Sequence, residues 1–99
     1  MIPAVAQRRA TDPLAHALCA AELNEPFPAD RLPIGYVREL FHAVPHLSAT
    51  VPYATLQLLA RLANDRRYEV RCGVANALPW LADLYPARVE ALLRRLLPR

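Results

Sequence analysis

Ninety-nine residues, 55% of them apolar, suffice for one domain with a modest core and exclude a wholly disordered chain. Two glycines against ten prolines, among abundant Ala and Leu, favour helices punctuated by proline. Arginine replaces lysine throughout, and the net charge of +3 is uneven: four Arg face five acids over residues 1–60, and eight face four over 61–99.

Residues 1–11 read as an N-terminal arm. Thr11 offers an N-cap and Pro13 an opening turn for helix one, about 12–23, with Leu14, Ala17, Leu18 and Ala21 on one face. Pro26, Pro28 and Pro33 mark the longest connection, and Asp30 is a candidate cap for helix two. Helix two, about 33–44, carries Ile34, Val37, Leu40, Phe41 and Val44 on its apolar side and is expected to end or kink at Pro45. Ser48 or Thr50 can cap helix three, about 52–63, which turns Leu56, Leu59, Leu62 and Ala63 inward and Gln57 and Arg61 outward. Helix four starts near Tyr68, buries Val70, Val74, Ala77, Leu78 and Leu81, and should kink at Pro79. Helix five opens at Pro86 and reads Val89, Leu92, Leu93, Leu96, Leu97, an i, i+3, i+4, i+7, i+8 stripe. No segment alternates with period two, so no sheet is expected.

A shift of 34 residues lays the second half on the first. Ala43-Val44-Pro45-His46-Leu47 falls on Ala77-Leu78-Pro79-Trp80-Leu81, and Pro52 falls on Pro86. Leu58, Leu59, Arg61 and Leu62 fall on Leu92, Leu93, Arg95 and Leu96. Leucine matches are cheap in a helical protein; two prolines in register are not. A repeating unit cannot bury its apolar stripe alone and stacks on its neighbour. The same period suits tetratricopeptide repeats, but their Gly and Tyr signature is missing from the first helix.

The residues around Asp65-Arg66-Arg67-Tyr68-Glu69-Val70-Arg71 resemble the HEAT repeat family. The pattern runs from Leu56 to Leu84: a Leu-rich helix, Asp65, then Val70-Arg71, Val74-Ala75, Ala77-Leu78 and Leu81. The resemblance implies an α-solenoid that binds protein, or in some members nucleic acid. It also implies that the aspartate ends one helix and the arginine six residues on, Arg71, bonds to acids of stacked turns. Arg38 corresponds only loosely, since Leu32 stands where its acid would be.

Chemistry has few carriers. His42 and His46 have metal-ligand spacing, but Pro45 lies between them and no third ligand is evident, so no metal or cofactor is expected. Ser48 is the one serine, and Gly35 and Gly73 stand alone, so there is neither a nucleophile-base pairing nor a phosphate loop, and no enzyme is expected. Cys19 and Cys72 lack C-x-x-C spacing and read as small buried residues, which favours a reducing, cytoplasmic setting. The apolar stretch Leu14 to Ala21 is weak and broken by His16, and Leu40 to Ala60 is cut by Pro45 and Pro52, so no membrane partner is expected.

The fold expected is all-α, about five helices in antiparallel hairpins forming a short HEAT-like α-solenoid. Residues 12–99 make one helical-repeat domain, with units at about 31–64 and 65–98. The work expected is that of a non-enzymatic adaptor or subunit that binds another protein or itself. Trp80, Tyr85, Val89, Leu92, Leu93, Leu96 and Leu97 are the candidate interface, since helix five has no partner after it. The alternative is nucleic-acid binding through Arg67, Arg88, Arg94, Arg95 and Arg99.

Overall fold

A computed structural model describes residues 12–97 of the chain. The arm at residues 1–11, including the Thr11 cap, and Arg99 lie outside them. Five α-helices occur among the described residues, and no strand: α1 (Pro13–Glu22), α2 (Ile34–Thr50), α3 (Pro52–Leu62), α4 (Tyr68–Ala77) and α5 (Pro86–Leu96). Two 3-10 helices, Ala29–Arg31 and Leu78–Leu81, lie between them. No helix among the described residues is long and apolar enough to cross a membrane.

The cap of α1 is Asp12, whose Oδ1 accepts the Leu14 N–H at 3.0 Å. The helix ends in a Schellman turn: Asn24 takes the left-handed φ of 56°, its N–H donates to Ala21 O, and the Glu25 N–H donates to Ala20 O. Asparagine tolerates that conformation through its short polar side chain. Asp30 caps nothing; it sits exposed in the first 3-10 helix, and Pro33 precedes α2 without a side-chain cap.

α2 corrects the sequence reading, because it runs through Pro45 to Thr50. Proline removes one donor and crowds the preceding turn. Here Pro45 lies at an exposed position of the helix. Ser48 and Thr50, expected as caps, lie inside the helix and donate their hydroxyls to Pro45 O (3.0 Å) and His46 O (3.1 Å). In the second unit these positions are Ala82 and Leu84, without hydroxyls, and there the α-helix gives way to the 3-10 segment carrying Pro79. The kink expected at Pro79 is thus a change of helix type.

The 34-residue register persists in the backbone. α3 and α5 are both 11 residues long and both start on proline, 34 positions apart. The residues before those prolines have nearly the same dihedrals: Val51 at φ −136°, ψ 63°, and Tyr85 at φ −133°, ψ 60°. α2 and α4 start 34 positions apart as well, at Ile34 and Tyr68.

α3 is the central helix: Ala54, Thr55, Leu56, Leu58, Leu59 and Leu62 are buried around most of its circumference. It is covered by α1, α2, α4 and the 3-10 segments. Gln57 and Arg61, read as outward, face α1 instead. Gln57 Nε2 donates to Asn24 Oδ1 at 2.7 Å, and Arg61 Nη2 reaches Ala20 O at 3.5 Å. α2 packs on α4, with Val37, Leu40, Val44, Val70 and Val74 fully buried. α5 packs on α4 and the Leu78–Leu81 segment.

Gly73 sets how closely α2 and α4 approach. A Cβ there would lie 2.1 Å from Cε2 of the Phe41 ring. Gly73→Ala gains about 1 kcal/mol of helix propensity but forces the ring aside, at a cost of about 1–3 kcal/mol. Urea denaturation should therefore show a net loss in the wild-type background. In Phe41→Ala the same substitution should stabilise; stabilisation in both backgrounds would remove the close contact.

Candidate interaction surface

Two kinds of feature bear on function: the clasp that holds the turns together, and the apolar surface left outside it. The clasp starts at Asp65, which is only 4% exposed at the end of the turn after α3. A buried carboxylate is stable only when its oxygens are occupied. Arg67 occupies both: Nε donates to Oδ1 and Nη2 to Oδ2, each at 2.9 Å, and its backbone N–H adds a 2.8 Å bond to Oδ1. The same guanidinium extends Nη1 to Leu32 O at 2.7 Å, which ties the turn before α4 to the turn before α2. Arg71 reaches the clasp through the main chain, donating Nη1 to Asp65 O (2.7 Å) and Arg66 O (2.9 Å).

So Asp65 and Arg71 do meet, but the partner of the carboxylate is Arg67, a residue the sequence placed in the anion-binding set. Leu32, where the first unit lacks an acid, supplies a carbonyl instead. Across the surface Arg38 pairs with Glu69 at 3.2 Å, both exposed, a contact worth little in water.

The arginines do not form an unpaired ridge. Arg67 and Arg71 belong to the clasp, Arg94 pairs with Glu90, and Arg95 donates to Asn64 Oδ1. Arg66 and Arg88 have no side-chain hydrogen bond or ion pair among the described residues. His42 and His46 are exposed on α2, and no group of three His, Cys, Asp or Glu among the described residues could hold a metal.

The helix-five stripe is mostly used within the chain. Val89 and Leu92 are buried, while Tyr85, Leu93 and Leu96 are partly buried against the core. Trp80 (59% exposed) and Leu97 (58%) remain outside, joined by Leu84 (58%), which sequence reasoning missed. Leu84 lies in the turn after the 3-10 segment and is exposed there. A second apolar surface was missed entirely. Ala15, Leu18, Cys19 and Glu22 of α1, with Leu23 just past its end and Val51 and Ala54, line a groove of about 450 Å³.

Comparisons with protein-family models, curated proteins and solved structures return no match to this chain.

The Arg67 hydrogen bonds hold the Asp65 carboxyl below its ordinary value, against the opposing effect of burial. A lowered folded pKa gives stability that is complete above the unfolded value, about 3.9, and is lost as pH falls through the folded one. Urea midpoints should therefore drop below about pH 4 in the wild type, and Asp65→Asn should flatten that limb. Arg67→Ala should cost about 2–4 kcal/mol at neutral pH, since it strands a buried charge. An acid limb unchanged in Asp65→Asn would assign it to other carboxylates.

Proposed function

We propose that this chain is a non-enzymatic protein-binding module, an adaptor or subunit built on HEAT-like stacking of two and a half helical units. The ties between units support the stacking: Arg67 to Leu32, Arg38 to Glu69, Gln57 to Asn24 and Arg95 to Asn64 span 35, 31, 33 and 31 residues, close to the repeat of 34. Packing of α1 on α3 and of α2 on α4 supports it as well. The cysteine usage favours a reducing, cytoplasmic setting.

The observation that carries the binding role is Trp80, 59% exposed, with Leu84 also exposed, in the connection between α4 and α5. An aromatic side chain left in water on a folded surface is a common anchor for a partner, because its rigid area is buried at low entropic cost. The arginine-rich alternative has less support, since Arg67, Arg94 and Arg95 already have partners within the chain.

Trp80→Ala with Leu84→Ser should leave the thermal midpoint nearly unchanged, because both side chains are exposed. The same pair should release a protein that co-purifies with the wild-type chain and is retained by Arg88→Ala. Equal retention by both variants, or no protein held by the wild type, would remove this reading. Duplex DNA titrated at about 50 and 200 mM salt checks the alternative, which requires affinity falling steeply with salt.

A further inference from the structure

The basic half of the chain, residues 61–99, has four acids, and three of them are taken. Asp65 is held by Arg67, Glu69 by Arg38 and Glu90 by Arg94. The fourth, Asp83, is exposed in the connection between α4 and α5. Neither Arg71 nor Arg95 makes an ion pair among the described residues. Arg71 donates only through Nη1, to the carbonyls of Asp65 and Arg66. Arg95 donates only through Nη2, to the neutral amide oxygen of Asn64. A guanidinium carries five N–H donors, so each has Nε and one whole Nη to spare.

Packing of α5 on α4 brings these two cations to one hollow of about 270 Å³. Tyr68, Ala75, Leu96 and Leu97 line it with them, and no acid is among the described residues that do. Arg71 is half-buried and fixed from two sides. The two carbonyls hold its Nη1, and its Cζ lies 5.7 Å from the centroid of the Tyr68 ring. A side chain already held in place loses little entropy on binding. Beside apolar side chains it also attracts an anion more strongly than in open water. Two guanidiniums without a counter-charge, next to an apolar wall, select a ligand that carries both a carboxylate and an apolar group. A sugar–phosphate backbone supplies the charge but nothing for the leucines to cover.

We propose that this hollow binds an acidic side chain of a protein partner together with an apolar neighbour. Arg71 and Arg95 meet the carboxylate, and Leu96 and Leu97 cover the neighbour. This rests on the reading of the chain as a protein-binding module. It adds to the Trp80 surface a site that specifies the partner's charge.

Nuclear magnetic resonance on the isotope-labelled full chain tests it, with a blocked six-residue peptide of alternating leucine and glutamate as the probe. The Nε–H signals of Arg71 and Arg95 and the amides of Ala75 and Leu97 should shift together, while Arg88, exposed elsewhere on α5, should not. Glutamine in place of glutamate, or serine in place of leucine, should weaken binding about tenfold, since each removes one of the two contacts. Arg95→Gln, at an exposed position, should weaken the leucine–glutamate peptide about threefold to tenfold and leave the urea midpoint nearly unchanged. No shift at millimolar peptide, equal binding of the glutamine version, or shifts as large at Arg88 and Arg94 would overturn the site. A six-nucleotide strand of deoxythymidine that moves the same signals further than the peptide overturns it in favour of nucleic acid. Failure of the site while Trp80→Ala with Leu84→Ser still releases a co-purified protein leaves the module reading in place.

Discussion

A single buried carboxylate anchors the arginine that ties the turn before α4 to the turn before α2. Asp65 is taken out of water at a turn where backbone groups are also losing theirs. The guanidinium of Arg67 meets both of its oxygens and still has a donor left for Leu32 O, 35 residues earlier. Such a fork carries more geometric information than a point charge, because two parallel bonds define a plane. It holds the start of α4 beside the start of α2. The valines and leucines between those helices then pack in one register, and Phe41 lies directly on Gly73. Hydrophobic burial supplies most of the driving force but is not directional. The clasp supplies direction.

Much of the fold was legible in the sequence, and for a physical reason. Prolines at 52 and 86 sit where a first helical turn needs no N–H donor, so they mark helix starts reliably, and both helices begin on them. The apolar spacing of α5 put Val89 and Leu92 on one stripe, though as candidate interface residues, and both are buried within the chain instead. What misled was proline read as a stop. Pro45 and Pro79 occupy the same place in the repeat, yet one lies within a continuous α-helix and the other in a 3-10 turn. Nothing in a proline distinguishes these cases; the residues that follow differ, Ser48 and Thr50 after Pro45 against Ala82 and Leu84 after Pro79. Gln57 and Arg61 were misread because a polar residue on an amphipathic helix reads as outward, whereas here a neighbouring helix end offers carbonyl and amide partners.

The surface was less legible than the fold. The stripe on α5 looked half uncovered by counting helices, but it packs on α4 and the 3-10 segment. Among the described residues an apolar groove lies at the other end, beside α1, where small residues gave a weak periodic signal. The run at 65–71 correctly drew attention to a turn, but which arginine would grip the acid depended on the path of the chain. Arg67, two residues on, has its backbone N–H and its side chain both within reach of Asp65. Arg71, a turn into α4, reaches only the carbonyls.

That the clasp sets the register of α2 against α4 is most directly tested by nuclear Overhauser contacts between the Phe41 ring and the Gly73 α-protons. The account predicts strong contacts in the wild type, and their loss or marked weakening in Arg67→Ala while both helices persist. Full-strength contacts in that variant, or none in the wild type, would contradict it.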